Sequence, residues 1–239
     1  MASPLSLTVL VIAASTAARP PLETLRPDLE KAAGGPVEIR YGATGLLARE
    51  IEEGGRYDVF VAADEGTVRR LAQDGRIEAT SVTRCATGRL AVVAARDWVH
   101  ALPRRLDGAT AIAFAKLPFR RVAVPSAKTS PYGGAVKELL SATRIAAAVK
   151  ERLVEAESAE KALALVLSGE AETGLVALSL ARTSGLPHAE VDPTLHEPLR
   201  HAAGVVAASA RKDAARRVVE ALASPDARAV WRRTGFAVP

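Results

Sequence analysis

Residues 41–64 read YGATGLLAREIEEGGRYDVFVAAD: a strand end, a turn of small residues, an amphipathic helix and a buried strand, with almost nothing between them. Gly42, Ala43, Thr44 and Gly45 carry little bulk, so a turn built from them can approach a bound group closely, and Thr44 adds a hydroxyl where the helix starts. Leu46, Leu47 and Ile51 then follow helical spacing until Gly54 and Gly55 end it. The first turn of a helix leaves backbone N–H groups without partners and carries partial positive charge, which makes it a seat for an anion. Taken alone, the segment is equally an ordinary building block of an α/β protein.

The same alternation repeats on either side. Residues 5–14, LSLTVLVIAA, are a continuous apolar run of the kind buried on both faces of a parallel sheet. No Lys or Arg precedes them, so they are expected to be the first strand rather than part of a secretory signal, and the sequence is expected to carry no export signal. Pro20 and Pro21 suit the first turn of a helix that Leu22, Leu25 and Leu29 carry to Gly34. A strand over 37–41 and a helix over 64–75 follow, and residues 76–88 read as irregular. A second series begins with strands at 90–95 and 121–125, then a loop over 127–134 (AKTSPYGG) and helices over 135–141 and 146–153. Ser158 is the expected N-cap of a helix over 159–168, and residues 174–178 (GLVAL) are a short strand. After a Pro-rich, polar stretch at 187–198 come a strand over 202–207 and helices over 213–223 and 225–233.

This pattern predicts an α/β protein of two lobes, each a mixed, mainly parallel sheet flanked by helices. The two irregular regions bracket the middle of the chain. Lobe 1 is therefore expected from residues 1–86 and 199–239, lobe 2 from the inserted residues 87–198, and a ligand cleft between them.

With 239 residues and 49% hydrophobic content the chain can bury a substantial core, but only four Phe, three Tyr and two Trp are available, so Ala, Val and Leu must build it. The net charge of +5 is spread among paired acids and bases rather than gathered in a stripe with stacking aromatics, which argues against nucleic-acid binding. The single Cys85 excludes an internal disulfide, and no apolar run reaches the roughly 20 residues a bilayer demands.

Catalytic and metal chemistry find little support. His100, His188, His196 and His201 are expected in loops or at element boundaries, with no helical ligand spacing, so no metal site is expected. There is no nucleophile elbow and no phosphate-binding P-loop. Asp58 and Asp64 stand at opposite ends of one strand, about 20 Å apart and too far to share a bond, so they are expected to cap neighbouring elements. What recurs is a hydroxyl or glycine turn leading into a helix, at Ser15-Thr16, Thr44-Gly45, Thr129 to Gly133, and Ser158-Ala159. Each is simply an N-cap by itself. Four together, two from each expected lobe, suit a small oxyanion held by neutral hydroxyls and N–H groups. A fully deprotonated anion only accepts hydrogen bonds, whereas a protonated phosphate also donates and favours a carboxylate acceptor, so the poverty of charge in these turns tilts toward sulfate or molybdate.

In order, the segments AAS after the first strand, YGATGLLAREIEEGGRYDVFVAAD, TSPYGGAVKELL, EKALALVLSGEAETGLVALS, LHEPLRHAAGVV and the terminal RRTGF resemble the molybdate-binding substrate proteins of ABC importers over essentially the whole chain. The resemblance implies a periplasmic-binding-protein-like fold of type II that closes on molybdate or tungstate and delivers it to a membrane permease, without catalysis and without a cofactor. It also implies a monomer outside the cytoplasmic membrane that meets the membrane only through the permease. By position, Ser15 matches the family's first-turn hydroxyl, and Thr44 stands where serine is usual. Tyr132 is the tyrosine of the PYG form, whose side-chain hydroxyl or backbone is expected on the anion, and Ala159 supplies a backbone N–H at a helix start. Ala177 stands where some members carry an anion-binding tyrosine, and Ser158-Ala159 replaces a more usual asparagine-containing start. A receptor for sulfate or phosphonate, a cytoplasmic oxyanion sensor, and an enzyme on this scaffold are the alternatives.

Overall fold

The computed structural model describes residues 9–238. Strand β1 (Leu10–Ser15) sends Leu10, Ile12 and Ala14 to one face and Ala13 to the other, both buried, as alternation along a strand covered on two sides requires. Residues 5–8 of the expected first strand lie outside the described residues. A 3-10 turn (Thr16–Ala18) leads into α1 (Arg19–Ala33), whose Leu22, Leu25 and Leu29 form a buried stripe, and Gly34 ends it in the left-handed conformation at φ +69°. Next come β2 (Val37–Gly42), α2 (Thr44–Glu52), β3 (Val59–Ala62), α3 (Glu65–Gln73) and β4 (Thr83–Gly88). Asp64 caps α3 by accepting the Thr67 N–H at 2.7 Å, while Asp58 accepts the Val11 N–H at 2.8 Å and the Ser209 hydroxyl at 2.6 Å. Both carboxylates therefore fasten neighbouring elements.

The chain then continues through β5 (Leu90–Ala94), β6 (Arg105–Leu106), α4 (Gly108–Ala115), β7 (Val122–Pro125), α5 (Pro131–Ala142), α6 (Ala146–Val149) and β8 (Leu153–Ala156). It goes on through α7 (Ala159–Leu167), β9 (Thr173–Ala177), α8 (Leu178–Thr183), β10 (His188–Val191), β11 (Leu199–Val205), α9 (Lys212–Leu222) and α10 (Pro225–Arg233). Two sheets result, ordered β2-β1-β3-β11-β4 and β6-β10-β5-β9-β7-β8. In the first, β1 runs parallel to β2 and β3, and β11 is antiparallel to β3 and β4. In the second, β7 runs parallel to β8 and β9, while β5 is antiparallel to β9 and β10. The α/β class with two mixed sheets is as expected.

Helices α1, α9 and α10 cover one face of the first sheet around Trp231, whose indole N–H donates to the Leu222 carbonyl at 3.1 Å. Helices α2 and α3 cover the other with Leu47, Ile51, Val68 and Leu71 packed on Phe60. Ala17 and Ala63, at strand ends of the first sheet, belong instead to the apolar cluster of the second, so the two bodies share packed surface.

Several expectations need correction. Residues 83–88, read as irregular, form β4: its small and polar residues hide the pattern, but β11 pairs with it and buries Cys85 and Ala86. Because β4 keeps Thr87 and Gly88 in the first sheet, the lobe boundary expected after residue 86 cuts a paired strand. Helix α5 starts at Pro131 rather than at 135, with Pro at its start, where a missing N–H costs nothing. The helix expected over 146–153 stops early, and β8 follows as a half-exposed edge strand. His201 lies inside β11 and is 0% exposed, not at an element boundary.

Candidate functional site

Ser15, Gly42 and Ala62 end the parallel strands β1, β2 and β3, and Pro125, Ala156 and Ala177 end β7, β8 and β9. Each end runs within a few residues into a helix start. In open α/β sheets this edge is where ligands bind, because helix N-termini gather there with unpaired N–H groups. The two edges are drawn together by direct bonds. The Gly45 N–H donates to the Thr129 carbonyl at 2.8 Å, and the Ser179 hydroxyl donates to the Ala17 carbonyl at 2.7 Å. A Cβ at residue 45 would stand 2.9 Å from the Thr129 oxygen, so glycine is what permits that approach. On the second body the Thr129 hydroxyl donates to the Glu157 carbonyl at 2.7 Å, tying the turn before α5 to the turn before α7.

The four candidate residues are all buried, between 1% and 4% exposed. Thr44 opens α2, and its hydroxyl accepts the Ala63 N–H at 3.1 Å, joining the ends of β2 and β3. It lines an open cleft of about 390 Å³ together with Gly45, Thr129 and Ser130 and the charged Asp64, Lys128, Glu138 and Glu197. Ser15, Tyr132 and Ala159 do not line that cleft. Ser15 ends β1, and its side chain makes no cap bond to the turn it begins. Ala159 is the first residue of α7, which packs against that same turn, and Ser158 caps the helix by accepting the Lys161 N–H at 3.2 Å. The turn that follows Ser15 and helix α7 are thus neighbours across the interface.

Tyr132 departs from one of its two expected roles. Its side chain turns away from the helix start into the interior, where the hydroxyl lies 3.3 Å from His201 Nε2 and the ring meets the imidazole edge-on. Burial pushes the phenol's pKa up and pushes the imidazole's down to about 3, so both are neutral. The N–H of Tyr132, in the first turn of α5, is one of the donors a helix leaves without an intrahelical partner. Burial also pushes the Cys85 thiol up to about 12, which leaves it an inert core group.

Among the described residues no group of three or more His, Cys, Asp or Glu side chains could hold a metal ion, and no helix is long and apolar enough to cross a membrane. The arrangement offers hydroxyls and N–H groups from turns whose charged residues are Lys128 and Glu157, a donor set suited to a small anion stripped of water. Sequence reasoning missed the Gly45–Thr129 contact and the Arg19–Glu160 ion pair. Neither has a local signal, since each joins residues far apart in the chain.

Comparison with known proteins gives a consistent picture. The sequence model of the family described as bacterial extracellular solute-binding protein matches residues 10–237. A molybdate-binding protein, ModA, of Azotobacter vinelandii is 30% identical over 220 residues, covering 90% of this chain and 84% of the relative. A putative ABC transporter substrate-binding lipoprotein, YvgL, of Bacillus subtilis is 24% identical over 95% of this chain and 85% of its own. The solved structure of the Azotobacter vinelandii periplasmic molybdate-binding protein superposes with a TM-score of 0.84 at 27% identity, over 96% of this chain and 99% of that one.

Proposed function

The chain belongs to the bacterial extracellular solute-binding proteins, and from that premise we propose that it captures a tetrahedral oxyanion, molybdate or tungstate, and delivers it to the permease of an ABC importer. It is a binding protein and not an enzyme. The observation that supports the ligand class is the meeting of hydroxyl-bearing turns at the ends of β1, β2, β7 and β8, where helix starts from two sheets approach one another and Lys128 and Glu157 are the charged residues in the turns. Ser15 and Thr44 supply hydroxyls from one body, and the backbone N–H groups of Tyr132 and Ala159 supply donors from the other.

The two bodies act as lobes. Lobe 1 comprises the chain to Gly88 and the segment from Leu199 onward, and lobe 2 the residues between. An ion that contacts both binds the closed arrangement better than the open one, and this difference in affinity drives closure. The working location is the periplasm or the outer face of the membrane, and the working form a monomer that meets the membrane through its permease.

Thermal unfolding of the dialysed protein with molybdate, tungstate, sulfate or phosphate tests the reading. Ligand at a hundredfold excess over Kd adds about 2.7 kcal/mol, which raises the midpoint by roughly 5 to 10 °C for a chain of this length. A shift with molybdate and tungstate alone establishes the assignment. A shift only with sulfate or phosphate keeps the cleft and replaces the ligand, and no shift with any of the four defeats the oxyanion reading.

A further inference from the structure

Arg19 is the first residue of α1, four positions after Ser15, and Glu160 is the second residue of α7, next to Ala159. Arg19 Nε lies 2.8 Å from Glu160 Oε1, and Nη2 donates to Oε2 at 3.2 Å. One partner is carried by the first sheet's body and the other by the second's, so the contact spans the interface beside the strand ends. We propose that this ion pair is a latch that holds the two lobes closed, a positioning pair that does not itself touch the ligand. The proposal rests on the two-lobe reading given above.

Three observations carry it. A cation at the first position of a helix faces that helix's own partial positive charge, and α1 has no acidic residue in its first turn to compensate. Arg19 is therefore poorly placed for its own helix dipole, and although Glu23 one turn on lies within electrostatic reach, its direct ion pair is made across the interface. The guanidinium is also held in position: its Cζ stands 4.0 Å over the Tyr41 ring, and the Tyr41 hydroxyl donates to Glu23 at 2.9 Å. Finally, the seam beside the pair is not filled by apolar packing. A hollow of about 420 Å³ opens there between Pro20 of α1 and Leu163 and Leu180 of α7 and α8, so the ion pair bridges where packing does not.

The sign of one substitution separates a latch from simple electrostatics. A lone carboxylate near a bound dianion repels it, so if Glu160 acted only through space, Glu160→Gln would tighten binding. A latch predicts the opposite, a two- to fivefold weaker Kd through faster release, the size expected of a half-exposed pair. Arg19→Gln should do the same, and the double variant should be no weaker than either single, because both remove one interaction. Titration calorimetry and chase of radiolabelled molybdate measure these changes. Tighter binding by Glu160→Gln, or additive losses in the double variant, would overturn the latch.

Spin labels on the exposed positions 49 and 167, one on each lobe, provide a readout that needs no ligand. Pulsed electron resonance on the ligand-free proteins should show longer separations in Glu160→Gln than in the otherwise wild-type chain, and an unchanged distribution defeats the proposal. If the wild type binds none of the four anions, the ligand assignment fails on its own, and the distance measurement still decides the latch.

Discussion

The Tyr132 hydroxyl lies 3.3 Å from Nε2 of His201, joining the first turn of α5 to the middle of β11, and Gly88 stands against both. Gly88 is the last residue of β4, just before the chain crosses to the second sheet. Helix α5 is thus braced at its start against the crossing point by a side chain buried to 1% exposure.

A Cβ at residue 88 would overlap the Tyr132 hydroxyl and stand 3.2 Å from His201 Nε2. Gly88→Ala should cost roughly 1–3 kcal/mol of stability in urea unfolding, the usual penalty for overpacking. Tyr132→Phe removes the overlapping oxygen, so the Gly88→Ala/Tyr132→Phe double variant should lose less than the sum of the singles. Additive losses would mean that the overlap is not the cause.

His201 adds a pH dependence of known sign. Burial lowers its folded pKa to about 3 from 6.5, so between these values the unfolded chain holds more protons than the folded one. Its contribution to stability is complete above pH 6.5 and is lost as pH falls toward 3, amounting to about 2 kcal/mol by pH 5. His201→Phe should flatten the stability profile in that window, whatever it does to the absolute value. Equal slopes in variant and wild type would show that His201 is not buried neutral.

At the strand ends, Thr44 carries two duties on one oxygen, since its hydroxyl already accepts from the Ala63 N–H. Thr44→Val should weaken molybdate binding and also cost about 1–3 kcal/mol by leaving that N–H unpaired. Thr44→Ser keeps the oxygen and should preserve both. Ser15→Ala should weaken binding about tenfold or more, as expected for losing a hydrogen bond to a charged group, with stability little changed because Ser15 makes no cap bond. Calorimetry paired with urea unfolding separates the two residues, and intact binding by Ser15→Ala would remove it from the site.

Local signals marked the elements that hold the site. Pro20-Pro21, Ser158 and Pro225 each mark a helix start that the structure places within a residue or two. Leu10, Ile12 and Val59 to Ala62 read as buried strand because their pattern is set by two covered faces. Strands β4 and β8 were not legible, because TRCATG and LVEA become strands through partners remote in the chain. The side-chain direction of Tyr132 was hidden for the same reason: its partner is 69 residues away.

Gly133 and Gly134 stand side by side in the first turn of α5 and should answer substitution in opposite ways. A Cβ at 133 would overlap backbone atoms of Pro125, Ser126 and Ala127, which cannot step aside as a flexible side chain can. Helix α5 would have to back away from the turn that carries Thr129, and that turn is held to Gly45 across the interface. At Gly134 a Cβ meets nothing within 4 Å, and the residue is helical, so alanine should add roughly 0.5–1 kcal/mol by restricting the unfolded chain. Gly133→Ala should therefore lose both stability and molybdate affinity, while Gly134→Ala, which adds a methyl at the cleft lining, gains stability. If Gly133→Ala bound molybdate normally, the close seating of α5 on residues 125–127 would not be what positions the Tyr132 N–H for the anion.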